Sequence, residues 1–237
     1  AGGDSGAPPR ARGDSGAAAK PGRGDPVAVA RDGKDAAARN RRTTPMADEL
    51  TKMMTEQLRD AYSAEKQALR AMPKMMKKAS AQALKDAIQK HIDQTEGQIE
   101  RLDRALEAVG GKPGRKICEG MRGIIEEGQS ELEDHDKGPM LDALIVAGLQ
   151  RVEHYEIAAY GTMAALAKAC GENEVARLMV ETLNEEKQTD QLLTDLAERE
   201  INPAMVQELR GEAEQEEAPK PANDRRATGT GRRRPAA

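Results

Sequence analysis

Six residues that commonly bind metal ions interrupt the apolar stripes of four predicted helices. Each lies on, or one step beside, a stripe of Leu, Ala, Met or Ile at helical spacing. A buried carboxylate is unfavourable unless a positive group lies beside it. Carboxylates and imidazoles that converge from four helices are the ligands of metal sites in helical bundles. The six residues are Glu65, His91, Glu153, Glu156, Glu186 and Asp190.

The spacing of these residues predicts that they meet at one level of a bundle. Glu153 and Glu156 are three residues apart, so they share one face of their helix. Glu186 and Asp190 are four apart and share a face in the same way. The other two stand singly on the first and second helices. All six lie near the middle of their helices, where helices that pack side by side bring them together.

Iron and manganese ions are bound by carboxylate oxygens with an occasional imidazole nitrogen. Without a cation, the clustered carboxylates could not all stay ionised, and some would bind protons. We therefore predict one or two ions of iron or manganese per subunit. Glu153 and Glu186 are expected as bridging ligands, and Glu65, His91, Glu156 and Asp190 as terminal ligands.

Each residue by itself also has an ordinary explanation. Glu65 could reach water at the helix boundary, and His91 could be a hydrogen-bonded core histidine. The alternative to a metal site is a vestigial, hydrogen-bonded polar core in a dimeric structural or stress-associated protein without enzymatic activity. We assign no ligand role to His154, which is one step off the Glu153 face, and expect Glu185 to face solvent.

Five helices are predicted to position these residues. The chain has no Phe or Trp and only three Tyr, so Leu, Ile, Val, Ala and Met must fill the core of an all-α domain. A short third helix lies in the crossover between two long hairpins, which is the ferritin-like four-helix bundle. Pro73 should kink or weaken the first helix. The predicted helices are 48–78, 81–109, 115–134, 140–170 and 173–200.

Composition divides the chain into a helical body and two tails. Residues 1–45 are rich in Gly, Pro and Ala and carry nine Lys or Arg against five Asp or Glu, which predicts a disordered extension. The body, 46–203, is acidic: residues 46–210 have a net charge of −9. Residues 204–237 are predicted to be a disordered charged tail.

The C-terminal tail and the two cysteines give little information about function. The arginines at 225–226 and 232–234 could contact nucleic acid, but a solubilising tail is the simpler explanation, because no aromatic residues are interleaved with them. The two cysteines are too few for a disulfide scaffold and are expected as buried free thiols. No apolar stretch is long enough for a membrane span, and no secretory signal is recognisable. A cytoplasmic protein is the prediction.

Five motifs, in order, resemble those of the bacterial YciE/YciF-type ferritin-like proteins, within the ferritin and rubrerythrin group. The resemblance covers about residues 47–203 and neither tail. The motifs are 60–67 (DAYSAEKQ), 91–102 (HIDQTEGQIERL), 118–127 (CEGMRGIIEE), 152–161 (VEHYEIAAYG) and 182–197 (TLNEEKQTDQLLTDLA).

The resemblance implies a ferritin-like bundle that forms a homodimer and takes part in stress responses. It is similar to di-iron proteins in the single Glu65 and in the pair at 153 and 156. If the site is catalytic, the implied activity is an oxidoreductase acting on peroxide or O₂; whether the protein is an enzyme stays open. Two positions differ from the di-iron pattern: Gln94 stands where related proteins carry an acid, and Asp190 stands where the wider group has His.

Overall fold

A computed structural model describes residues 45–217, and this part of the chain is helical apart from short connections. No β-strand occurs in the described range, so the predicted all-α class is confirmed. A π-helical turn, Ala197–Ile201, joins the last two helices. The α-helices are α1 (Pro45–Lys78), α2 (Gln82–Ala108), α3 (Glu119–Asp134), α4 (Pro139–Ala169), α5 (Asn173–Leu196) and α6 (Asn202–Glu217).

The four long helices form the predicted ferritin-like bundle. Three-residue connections join α1 to α2 and α4 to α5, so each pair folds back as a hairpin. Helix α2 packs against α1 and α5, and α4 packs against the same two helices. Helix α3 lies in the crossover from α2 to α4 and packs on α1 and α4.

Helix α3 begins later than predicted, at Glu119 rather than at residue 115. The reason is an anchor at Cys118, which is buried and is the N-cap residue of α3. Its backbone N–H donates to Ser63 Oγ (3.0 Å), and its carbonyl oxygen accepts from Gln67 Nε2 (3.0 Å). These bonds hold the crossover against α1 in a non-helical conformation. Cys170, by contrast, is only partly buried, unlike the buried thiol predicted there.

The C-terminal part of the structure also differs from the prediction. The fifth helix was expected to end at Glu200, with a disordered tail from residue 204. Instead, the helical chain continues through the π-helical turn into α6. Pro203, the second residue of α6, follows the π-helical turn directly and does not stop the helix. Predictions for residues 1–44 and 218–237 lie outside the described residues.

Two further features of the fold concern prolines and membranes. Helix α1 runs as one α-helix through Pro73 to Lys78, so the predicted weakening does not interrupt it.

Among residues 45–217, no helix has both the length and the apolar character to span a bilayer.

The apolar interior consists of two clusters with buried polar residues between them. On α1, for example, Leu58 belongs to one cluster and Met72 to the other, and Glu65 lies between them. The same order holds on α2, α4 and α5. We call the intervening residues the polar layer; they are Glu65, His91, Thr95, Gln98, Glu153, Glu156, Thr182, Glu186 and Thr189, all at most 4% exposed.

Candidate metal centre

Four of the six predicted ligands come together in the polar layer. Each offers a ligand atom, a carboxylate oxygen or an imidazole nitrogen, and these atoms all lie within 4.8 Å of one another. All four side chains are buried. We call them the ligand group: His91 on α2, Glu153 and Glu156 on α4, and Glu186 on α5.

The ligand group has no hydrogen-bond partner of its own. All its side-chain nitrogen and oxygen atoms are buried, and no hydrogen-bond donor elsewhere in the described chain reaches them. Within the group, the Glu153 and Glu186 carboxyls can hydrogen-bond to each other only when one of them carries a proton. His91 Nε2 lies 3.2 Å from Glu153 Oε1, but this contact does not have the geometry of a hydrogen bond. A buried polar atom without a partner costs about 1–3 kcal/mol. The arrangement therefore needs protons or a cation to be stable.

Burial shifts the pKa of every residue in the ligand group in the direction that favours the neutral form of its side chain. Loss of water raises the pKa of Glu153, Glu156 and Glu186 above the ordinary value, and charges on neighbouring carboxylates raise each further. Burial lowers the pKa of His91 to about 4, so its imidazole is neutral near pH 7. A neutral imidazole can donate its nitrogen lone pair to a metal ion, and a bound cation would displace the carboxyl protons.

Glu65 lies beside the ligand group but is held by a different partner. The Tyr160 hydroxyl donates a 2.5 Å hydrogen bond to Glu65 Oε1, and both residues are buried. The second oxygen, Oε2, is buried without a partner in the described chain. Glu65 is close enough for its charge to raise the pKa of Glu156 and Glu186.

Asp190 is the predicted ligand that lies nearest to solvent. Its side chain is 24% exposed, and its Oδ1 is 3.3 Å from His154 Nε2. The same oxygen accepts a hydrogen bond from Gln150 Nε2 at 3.2 Å. The structure does not place Asp190 in the ligand group. His154, to which no ligand role was assigned, is 70% exposed.

The structure corrects the expectation that Glu185 faces solvent. Its carboxylate is only 28% exposed, forms an ion pair with the Arg101 guanidinium, and accepts a 3.1 Å hydrogen bond from Gln98 Nε2. Sequence reasoning assigned no role to Arg101 or to Tyr160. A signal existed for Tyr160, which follows Glu153 by seven residues, two helical turns along the same face.

The donor set fits a hard or borderline cation. Three carboxylates supply oxygen and one neutral imidazole supplies nitrogen, which suits iron and manganese. The ligand group contains no sulfur, and Cys118 lies in the crossover anchor, where its Sγ is 2.8 Å from the Tyr155 hydroxyl. The residues present therefore fit a metal ion of the predicted kind.

Comparisons with known proteins agree with this architecture. Residues 49–206 match the family described as Domain of unknown function (DUF892). The protein YciF of Escherichia coli strain K12 is 46% identical over 146 residues, which cover 61% of this chain and 88% of YciF.

Solved structures give the same result. The crystal structure of the E. coli stress protein YciF superposes with a TM-score of 0.62 at 44% identity, covering 65% of this chain and 97% of that one. YcfI of Rhodopseudomonas palustris, provisionally described as a structural protein, has a TM-score of 0.58 at 39% identity, with coverages of 65% and 96%. A Xanthomonas campestris protein, XCC3681, shares the fold at 24% identity and a TM-score of 0.53, with coverages of 70% and 99%. The chain belongs to the DUF892 family of YciE/YciF-type ferritin-like proteins.

Proposed function

We propose that this protein binds iron or manganese at His91, Glu153, Glu156 and Glu186 and serves in oxidant defence in the cytoplasm. The observation that carries the proposal is the set of buried ligand atoms that no hydrogen-bond donor outside the group reaches in the described chain. A hydrogen-bonded structural core would satisfy these atoms with protein donors. Membership of a family that includes the E. coli stress protein YciF supports the link to stress.

The chain's own residues prepare the site for a cation. The apolar clusters on either side of the polar layer keep water away from the carboxylates, which strengthens their attraction for a cation. His91 stays neutral and needs no deprotonation near pH 7, whereas the carboxyls release protons as a cation binds. When bound, iron or manganese supplies one-electron redox chemistry toward peroxide or O₂.

Elemental analysis tests the metal proposal directly. The full chain is purified without chelators, and its iron and manganese contents are compared with those of a Glu153→Gln/Glu186→Gln variant. We expect bound metal in the native protein and its loss in the variant. A Glu126→Gln/Glu133→Gln variant, which changes two exposed carboxylates of α3, serves as the matched control and should keep its metal. Native protein that takes up neither metal overturns the proposal.

A structural role is the second candidate, because the similar protein YcfI is provisionally described as a structural protein. Such a role requires no cation, so metal would leave the stability of the bundle unchanged. We also infer a homodimer, which the family resemblance implies. Size-exclusion chromatography with light scattering should then give twice the chain mass of 25.6 kDa.

A further inference from the structure

We infer that the polar layer binds one metal ion per chain, not two, and that Arg101 sets this number by placing a positive charge beside Gln98 at the edge of the layer. This inference rests on the proposed function, since it concerns the occupancy of the same site. A two-metal centre would need a second set of donors, and the buried oxygens left to supply it belong to Glu65, Gln98 and Thr95. Four observations carry the inference.

The first observation is the position of Arg101 at the edge of the polar layer. Its side chain is only 13% exposed. Its Nε donates a 3.0 Å hydrogen bond to the hydroxyl of Thr182, a fully buried member of the polar layer. The guanidinium also forms ion pairs with Glu181 and Glu185. A cation built into the protein, held by these two carboxylates, therefore lies against this part of the layer.

The second observation is that Arg101 and Gln98 share one acceptor. Both donate to Glu185 Oε2, Arg101 through Nη2 and Gln98 through Nε2. This shared acceptor fixes the amide of Gln98, whose Oε1 is buried and has no partner in the described chain. Gln98 thus contributes one neutral oxygen to the polar layer and lies next to the guanidinium.

The third observation is that the chain itself compensates Glu65. The Tyr160 hydroxyl occupies Oε1, which leaves only Oε2 for a metal ion. A protein donor thus holds Glu65, whereas no hydrogen-bond donor outside the ligand group reaches the ligand group itself.

The fourth observation is that the other predicted ligand is engaged elsewhere. Asp190 contacts His154 and Gln150 at the partly exposed side of α5 and lies outside the ligand group. A second ion would then have as its own donors one carboxylate oxygen of Glu65 and the neutral oxygens of Gln98 and Thr95, near the Arg101 guanidinium. The ligand group, with three carboxylates and an imidazole, can hold one ion without them.

The test is the stoichiometry of Mn²⁺ bound to the metal-free full chain, measured by calorimetry, with electron paramagnetic resonance of the loaded protein as the second readout. We expect one Mn²⁺ per chain and the hyperfine pattern of an isolated ion at every loading. In Arg101→Met, a second Mn²⁺ should bind about tenfold or more tightly than in the native chain, because a like charge is removed and the Glu185 carboxylate loses its ion-pair partner. The spectrum of two coupled ions should then appear.

Two further variants complete the design. Arg104→Met removes an exposed arginine one turn along α2 that pairs with Glu174, and it should keep one ion. Gln98→Glu adds a carboxylate at the second set of donors and should admit a second ion even if Arg101→Met does not fold.

The outcomes separate this inference from the proposed function. No bound Mn²⁺ or iron in the native chain overturns the proposed function. Two coupled ions in the native chain uphold that function and overturn the inference. One ion in the native chain, Arg101→Met and Gln98→Glu alike overturns the role given to Arg101 and Gln98.

Discussion

His91 and Glu153 face each other across the diagonal of the bundle, with Nε2 3.2 Å from Oε1. Helices α2 and α4, which carry them, both pack against α1 and α5, so the contact passes through the centre of the bundle. Neither atom has a hydrogen-bond partner within residues 45–217. Because this contact is buried and no hydrogen-bond donor reaches it, a cation bound there would stabilise the folded state.

Metal should raise the melting temperature of the protein. A ligand at a hundred times its dissociation constant stabilises the folded state by about 2.7 kcal/mol. For a chain of this size, that corresponds to an increase of about 5–11 °C. Thermal melts of metal-free protein with and without Mn²⁺ measure it. The Glu153→Gln/Glu186→Gln variant should show no increase, and equal melting temperatures for the native protein would favour the structural role instead.

The carboxyls of the metal-free protein should lose their stabilising effect as the pH rises above 4.5, the ordinary glutamate value, and the loss should continue to the raised pKa values. The folded-state pKa values of Glu65 (about 7), Glu153 (about 8), Glu156 and Glu186 are raised by burial, so the folded state binds more protons than the unfolded state. The stabilising effect of these four carboxyls is complete below the ordinary glutamate pKa, and it is lost as the pH rises through their raised pKa values. Each extra bound proton corresponds to about 1.4 kcal/mol per pH unit.

His91 changes stability with pH in the opposite direction, but only below about pH 6.5, so the effect of the carboxyls can be measured alone above that pH. Its pKa is lowered to about 4 by burial, so it destabilises the folded state as the pH falls below about 6.5. Melting temperatures of metal-free protein should therefore decrease from pH 6.5 to 8.5. Constant melting temperatures over that range would mean that the carboxyls are already ionised in the folded state.

Replacing Gly120 by Ala should destabilise the crossover. A Cβ atom at this position would lie 2.8 Å from Cε2 of Tyr155, too close for any real contact. The Tyr155 hydroxyl donates to Asp60 Oδ2 at 3.0 Å and lies 2.8 Å from Cys118 Sγ, so the ring cannot move without losing these contacts. We expect a loss of about 1–3 kcal/mol in urea unfolding.

Gly123 provides the matched control in the same helix. A Cβ there meets no atom within 4 Å, so Gly123→Ala should stabilise the helix by about 0.5–1 kcal/mol. Equal effects of the two substitutions would contradict the role given to the Tyr155 ring.

Asp142 should contribute strongly to stability although it lies outside the polar layer. Its two carboxylate oxygens accept hydrogen bonds from the backbone N–H groups of Ser80 (2.7 Å) and Ala81 (2.8 Å), at the start of α2. Asp142→Ala removes both acceptors and should cost about 2–3 kcal/mol in urea unfolding. Asp142→Asn keeps one acceptor oxygen and should cost less. Similar losses for both variants would show that the two hydrogen bonds are not the source.

Several features could be predicted because they depend on local periodicity. The long helices are amphipathic, and residues such as Glu65 and Glu153 interrupt their stripes at mid-length, which is visible without coordinates. Helix α6 could not be predicted in the same way, because its apolar stripe is weak and a proline such as Pro203 commonly marks the end of a helix. Asp142 was missed because its partners, Ser80 and Ala81, are more than 60 residues away in the chain.

The sequence by itself determined the all-α class, the bundle with its crossover helix, and the level at which acidic residues and a histidine enter the interior. Only the tertiary structure decided which of them meet. Glu186 and Asp190 are one turn apart on α5, yet only Glu186 joins the ligand group. Distances between side chains of different helices depend on how the helices rotate and cross, and spacing within one helix carries no information about that.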